Sequence, residues 1–308
     1  MPDARTSPVV VGLDGSPSSI AAVEWAARDA QMRGRPLALV HVIAPIVMPA
    51  EPWPEGFANL DVVRWQEDNA RKVIDDAREI AHKAAAPGEL QITTEVMHGP
   101  AVPMLTELSE NAALVVVGCR GQSRVAGAVL GSVSSGLAHH ARCPVAVIHD
   151  EEPPEGVSDQ SPVVVGVDGS PTSELATGLA FEEAACRGVE LVAVHTWSDM
   201  SRLNIPTLNW APIEWRNLSD KAAEVLEEHL AVWRRKYPEV TVRPVSIPIV
   251  AKSPAVGLLD HARSAQLVVV GSHGHGGFSG MLLGSVSAAV VNAARIPVII
   301  ARSRESEA

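Results

Sequence analysis

The sequence predicts an α/β fold: two tandem doubly wound domains, each a five-stranded parallel sheet flanked by helices. Three observations predict it. The chain repeats itself, each copy alternates short apolar runs with helical patterns, and one glycine-rich stretch occurs twice at matching places. "VVVGLDGSPSS" at Val9 returns as "VVVGVDGSPTS" at Val163, so Asp14 corresponds to Asp168. "ALVHV" at Ala38 returns at the same offset as "VAVHT" at Val192. Gly118 matches Gly271 at an offset one residue shorter, as "CPVAVI" matches "IPVIIA", so one net residue is lost in the middle. Repetition on this scale is duplication of a whole domain, because solenoid repeats run only about 20–50 residues. The acidic, proline-bearing segment from His149 to Pro162 has a linker's composition. The expected organisation is a first domain at 1–150, a linker at 151–161 and a second domain at 162–308.

Within copy one, Val9 to Leu13, Leu37 to Ile43, Leu90 to Val96, Leu114 to Gly118 and Val145 to Ile148 read as strands. Most are nearly continuous in Val, Ile and Leu, the pattern of strands covered on both faces. Ser16-Pro17 opens the first helix, with serine suited to the N-cap and proline to the first helical position. Ser170-Pro171 repeats the device. From Arg64 to Ala84, Ala70, Val73, Ala77, Ile80 and Ala84 fall at helical spacing. Strands alternating with helices imply a parallel sheet with right-handed crossovers, Rossmann-like in architecture. In such sheets ligands bind at the carboxyl ends of strands, where the strand order reverses. Asp14, Val42 and the loop after Gly118 all fall there.

Composition sets the cellular context. The 308 residues are enough for two domains, and 46% hydrophobic content permits a core in each. No apolar run is long enough to span a bilayer, and "MPDARTSP" lacks the apolar core of a signal peptide. The expected location is the cytoplasm, without membrane insertion. Cys119, Cys143 and Cys186 show no disulfide or zinc spacing, which agrees with a reducing compartment. A formal charge of -11 disfavours nucleic acid and anionic membranes as partners.

The repeated loop carries the chemistry. Gly118 and Gly121 let the backbone turn sharply after a strand and approach a ligand without a Cβ in the way. Nine residues, Gln122 to Leu130, separate Gly121 from Gly131-Ser132, which opens a helix. A helix start offers free N–H groups and the positive end of the dipole, both suited to phosphate. The Ser132 and Ser134 hydroxyls add donors, with Val133 between them. Copy two has the same layout in Gly271, Gly274, Gly284, Ser285, Val286 and Ser287, again with nine residues in the gap. Its loop has no Arg or Lys, only His273 and His275, whereas copy one offers Arg120 and Arg124. Phosphate affinity in copy two is therefore expected to rise as pH falls through the histidine range, beyond any change in copy one.

These residues resemble the universal stress protein family, specifically its nucleotide-binding branch with the pattern G-x2-G-x9-G-[ST]. The match falls at Gly118/Gly121/Gly131-Ser132 and at Gly271/Gly274/Gly284-Ser285, and covers all but the linker and the two ends. The resemblance implies an adenine nucleotide alpha-hydrolase-like fold, ATP with Mg2+ as cofactor, and one adenine-nucleotide site per domain. It also implies nucleotide-dependent regulation in stress or growth adaptation. It places Asp14 and Asp168 near the ribose, backbone around Val42 and Thr196 at the adenine, and Gly12 and Gly166 beside them. Phosphate falls to the two loops: Gly118, Arg120, Gly121, Ser123, Arg124 and Gly131 to Ser134, then Gly271, His273, Gly274, His275, Gly277 and Gly284 to Ser287. It further implies pairing of the two halves through their last strands, a homodimer beyond that, and a regulatory protein partner of unknown identity.

Other readings compete. No G-x4-G-K-[ST] run exists, so a P-loop NTPase is excluded. A receiver domain needs an acidic cluster and a late lysine that copy one lacks. An ATP-consuming enzyme, a slow ATPase or phosphotransferase, stays open, although no Ser-His-Asp or paired-carboxylate constellation can be assigned. His41 and His195 read as satisfied residues inside apolar strands or as ligand contacts, and His139-His140 has no counterpart at Asn292-Ala293. Cys119 reads as a small filler or a redox sensor. The inserts "PAEPWPEGF" and "LNIPTLNWAPIEW" read as lids, partner surfaces or plain loops.

Overall fold

In the computed structural model the described residues are 7–45, 59–86, 88, 90–121, 130–152, 154–197, 212–248, 253–274 and 283–302. The chain divides into two compact units, one through Asp150 and one from Glu151 to Arg302. Unit 1 runs β1 (Val9–Leu13), α1 (Pro17–Met32), β2 (Leu37–Ile43), α2 (Asn59–Ala84), β3 (Ile92–His98), α3 (Ala101–Leu108), β4 (Leu114–Gly118), α4 (Ser132–His140) and β5 (Val145–Ile148). Unit 2 repeats the plan as β6 (Val163–Val167), α5 (Pro171–Arg187), β7 (Leu191–Trp197), α6 (Pro212–Lys236), β8 (Val242–Pro248), α7 (Pro254–Ala262), β9 (Leu267–Gly271), α8 (Ser285–Ala293) and β10 (Val298–Ala301).

Strand order in unit 1 is β3-β2-β1-β4-β5, and in unit 2 β10-β9-β6-β7-β8. Each neighbouring pair within a unit runs parallel. The chain therefore winds outward from β1 in one direction, then returns to place β4 on the other side. That reversal makes the β1/β4 edge of unit 1, and the β6/β9 edge of unit 2, the switch point of each fold. The α/β fold with two Rossmann-like domains is the architecture the alternation of strands and helices predicts.

The central strands are buried on both faces, Val9, Val11, Val115 and Val116 completely. This is why they read as unbroken apolar runs. The outermost strands β3 and β8 are half exposed. The third strand begins at Ile92 and ends at His98, two residues later at each end than its sequence pattern suggests. Its consecutive exposed polar residues Thr93, Thr94 and Glu95 mark an edge strand, where apolar content gives little purchase on boundaries. The single net residue lost between the copies is the balance of two larger changes. Unit 2 is shorter between its second and third strands, and longer between its third strand and the next helix, whose caps are Pro100 and Ser253.

Helix α1 starts as its sequence predicts. Ser16 sits extended at the N-cap, accepts from the Ser19 backbone N–H at 3.3 Å, and Pro17 follows. α5 repeats this with Ser170, Ser173 and Pro171. Each of these helices also carries a buried ion pair near its end. Arg33 Nε lies 3.0 Å from Asp29 Oδ2, with both side chains at most 5% exposed, and Arg187 Nη2 lies 3.0 Å from Glu183 Oε2. Nothing in the helical pattern announces these pairs, because they occupy core-facing positions normally given to apolar residues.

Candidate functional site

The turn after β1 is shaped first by backbone. Gly15 has φ of 82° and Gly169 has φ of 80°, the left-handed region open to glycine. That turn lets Asp14 fold back, and its Oδ1 accepts from the Ser16 N–H at 3.0 Å. Asp168 does the same with the Ser170 N–H at 2.9 Å. Both carboxylates thus stand at the carboxyl end of the central strand, beside the switch point.

The glycine loops meet these turns directly. A Cβ on Gly118 would lie 2.6 Å from the Ser18 backbone carbon, and one on Gly121 would lie 2.7 Å from Asp14 Oδ2. Gly271 is pressed against Thr172 and Ser173 in the same way, and Gly274 against Asp168 Oδ2. The Ser18 and Thr172 hydroxyls donate to the carbonyls of Arg120 and His273. Gly118 and Gly271 are therefore required by close approach of the protein's own backbone, whereas Gly121 and Gly274 leave room for the Asp14 and Asp168 carboxylates. Sequence reasoning assigned them to approach of a ligand, and the partner atoms lie about a hundred residues away in the chain, where no local pattern reveals them.

The third glycine ends the loop. Gly131 N–H donates to the Cys119 carbonyl at 2.7 Å, and Ser134 Oγ donates to the same carbonyl at 3.0 Å. In unit 2, Gly284 N–H donates to the Ser272 carbonyl at 2.7 Å and Ser287 Oγ to the Gly271 carbonyl at 2.5 Å. The hydroxyls of Ser134 and Ser287 thus fasten the loop instead of facing outward as donors. The helices that follow have no side-chain cap. Their first intrahelical bonds are Ser135 to Gly131 and Ala288 to Gly284. The N–H groups of Ser132, Val133 and Ser134, and of Ser285, Val286 and Ser287, are left with no intrahelical acceptor. α1 and α5 are capped by serine, whereas α4 and α8 present open N-termini at the switch point.

In unit 1 these elements enclose a cavity of about 370 Å3. Its lining brings together Gly12, Asp14, Val42, Gly118, Arg120 and Gly121 with the helix start from Gly131 to Ser134. Ser123 and Arg124 lie outside the described residues, as do His275 and Gly277 of unit 2 and the insert at 49–57; the second insert lies outside them at 203–211. The lining also includes Ser19, Val40, Ala44, Ala101 and Leu105, which sequence reasoning missed. Val40 was within reach, since it shares a strand face with Val42. Leu105 was not: it arrives from α3, and a Cβ on Gly12 would meet its Cδ1 at 2.8 Å. One wall is aliphatic, and the charged side chains at the other are Asp14 and Arg120. In unit 2, Gly166 meets Leu258 in the same manner. Thr196 takes the place of Val42, and His273 that of Arg120.

The two strand histidines are structural. His41 Nδ1 lies 2.8 Å from the Leu13 carbonyl and His195 Nδ1 2.7 Å from the Val167 carbonyl. Each Nδ1–H pins the end of the central strand just before the aspartate. Cys119 is fully buried, and desolvation raises its thiol pKa, which fits the reading of a small filler. Among the described residues no cluster of His, Cys, Asp and Glu could hold a metal by protein ligands alone. No helix among them is long and apolar enough to cross a membrane.

A duplicated α/β fold with a glycine loop and an open helix start at each switch point defines the class. The chain belongs to the universal stress protein family, whose model matches residues 6–149 and 161–302. It is 52% identical over 303 residues to universal stress protein Rv1996 of Mycobacterium tuberculosis, covering 96% of this chain and 94% of that one. It is 46% identical over 295 residues to Rv2623 of the same organism, covering 96% of each. The crystal structure of a universal stress protein from Archaeoglobus fulgidus shares the fold, with a TM-score of 0.69 at 20% identity over 99% of both chains.

Proposed function

We propose that the protein is an ATP-binding regulator acting in stress or growth adaptation, with one adenine-nucleotide site in each unit. The observation that carries this reading is the unit 1 cavity. There the N–H groups of Ser132, Val133 and Ser134, which have no intrahelical acceptor, line the same cavity as Asp14 at the switch point. Open backbone donors at a positive helix end fit a polyphosphate. A carboxylate one strand away fits ribose hydroxyls, and the aliphatic wall of Val40, Val42 and Leu105 fits a planar base. A volume of about 370 Å3 lies within the range of small-ligand pockets.

The residues also fit Mg2+ bound together with the nucleotide. Mg2+ takes one or two carboxylates and completes its shell with phosphate oxygens and water, and Asp14 is the carboxylate at hand. When bound, the ion neutralises charge on the phosphates. Arg120 supplies further positive charge at the same wall. In unit 2, Asp168, Gly271, His273, Gly274, Gly284, Ser285, Val286 and Ser287 repeat the arrangement, and we assign them the same roles. A regulatory reading is preferred to an enzymatic one because, among the described residues, the titratable side chains lining the cavity are Asp14 and Arg120, with no nucleophile and base in contact. Equilibrium titration of the full chain with Mg-ATP tests the proposal. Binding at two sites is expected, and absence of binding would remove it.

A further inference from the structure

The two outermost strands of the duplicated fold differ in a way that their shared ancestry makes informative. Register aligns Leu37 with Ile92 in unit 1 and Leu191 with Val242 in unit 2. Leu37 N–H donates to the Gln91 carbonyl at 2.8 Å, and Gly99 N–H to the Ile43 carbonyl at 3.0 Å. In a parallel ladder the backbone groups of alternate residues point to opposite sides. Thr93, Glu95 and Met97 therefore turn their N–H and C=O groups toward β2. Ile92, Thr94, Val96 and His98 turn theirs to the open side. In unit 2, Leu191 N–H donates to the Thr241 carbonyl at 2.9 Å, so Val242, Pro244, Ser246 and Pro248 face outward.

Both prolines of β8 thus fall at outward positions, where the lost N–H leaves the β7 ladder intact and removes a donor from the edge. This is how natural sheets protect an edge from pairing. The equivalent residues of β3 are Thr94 and His98, and β3 has no proline. Its outward N–H groups make no hydrogen bond among the described residues. Thr93, Thr94, Glu95 and Val96 are exposed in succession.

We propose that β3 is a docking edge for a second copy of this chain, joined antiparallel through β3 of each copy. The inference does not depend on nucleotide binding. A second copy is the occupant because the strand can oppose itself with apolar residues paired and no like charges facing. Centring the two-fold axis on Thr94 sets Thr94 against Thr94, Ile92 against Val96 and Thr93 against Glu95. This gives about six ladder hydrogen bonds, with apolar residues opposed and no like charges facing. A slip that centres on Glu95 sets the two carboxylates directly opposite one another, so Glu95 disfavours that register. β8 cannot pair in this way.

Sedimentation and light scattering of the full chain, combined with amide hydrogen exchange, test the proposal. The expected mass is twice the 32.5 kDa of one chain, with the Thr94 and Val96 amides protected. Thr94→Pro installs the residue that unit 2 already carries at this position, and should convert the dimer to monomer while thermal melting shows a folded chain. A wild-type chain that stays monomeric up to about 100 µM overturns the proposal, as would be seen if the edge served a foreign strand instead. A dimer with Thr94 and Val96 exchanging like loop amides overturns it also, whether or not the proline variant folds. So does a folded Thr94→Pro chain that remains dimeric.

Discussion

Gly121→Ala separates a glycine needed for the site from one needed for the fold. Gly121 is not among the glycines with positive φ, so alanine can adopt its backbone conformation without strain. The obstacle is a single atom group. The new Cβ would lie 2.7 Å from Asp14 Oδ2, about 0.7 Å short of the 3.4 Å at which ordinary contact begins. The carboxylate must retreat, and its bond from the Ser16 N–H, now 3.0 Å, lengthens as it does. Losing the charge-assisted hydrogen bond proposed between Asp14 and the ligand should weaken binding by about 1.5–3 kcal/mol, or about 10- to 150-fold. Gly274→Ala should act at least as strongly in unit 2, where the approach to Asp168 is closer still. By contrast, a Cβ on Gly118 strikes the Ser18 backbone, so Gly118→Ala should lower thermal stability as well. Calorimetric titration of Gly121→Ala with Mg-ATP should resolve one retained and one weakened site. Wild-type affinity in the Gly121→Ala, Gly274→Ala double variant would refute the reasoning.

Asp29→Ala should destabilise unit 1 by about 3–5 kcal/mol, because it removes the carboxylate of a buried ion pair with Arg33. Denaturant unfolding measures this, and an equal loss in an Asp29→Ala, Arg33→Met double variant would contradict it. At pH 8 the native chain should expose one fast-reacting thiol to a disulfide reagent, Cys186, with Cys119 and Cys143 appearing only on unfolding. Burial pushes the Cys143 thiol up to about 12 from an ordinary value of 9.0. The unfolded chain therefore ionises first. The stability this group contributes is complete below pH 9 and is lost as pH rises toward 12, by up to ~1.4 kcal/mol per pH unit. Comparing unfolding of the wild type and Cys143→Ala across that range should show the smaller loss in the variant.

Much of the fold was legible because duplication writes each signal twice. The buried strands, the Ser-Pro helix starts and the doubled glycine loop all survive comparison of the copies. Legibility failed wherever the cause is distant in sequence. Gly121 looks like room for a ligand until Asp14 is found against it. Leu105 joins the cavity only because α3 packs over Gly12. Asp29 and Glu183 read as ordinary helical charges, although each is buried with an arginine one turn on. The prolines of β8 gain meaning only when the ladder shows which way each residue turns. His41 and His195 were ambiguous for the same reason, since the carbonyl each one binds lies on a neighbouring strand.

The central claim is that each unit holds a nucleotide, and native mass spectrometry of the full chain titrated with Mg-ATP tests it most directly. The account predicts two successive mass increments per chain, each matching one nucleotide. It also predicts that Gly121→Ala and Gly274→Ala each weaken one increment. A chain that acquires no nucleotide mass at saturating Mg-ATP, while melting as a folded protein, would contradict it.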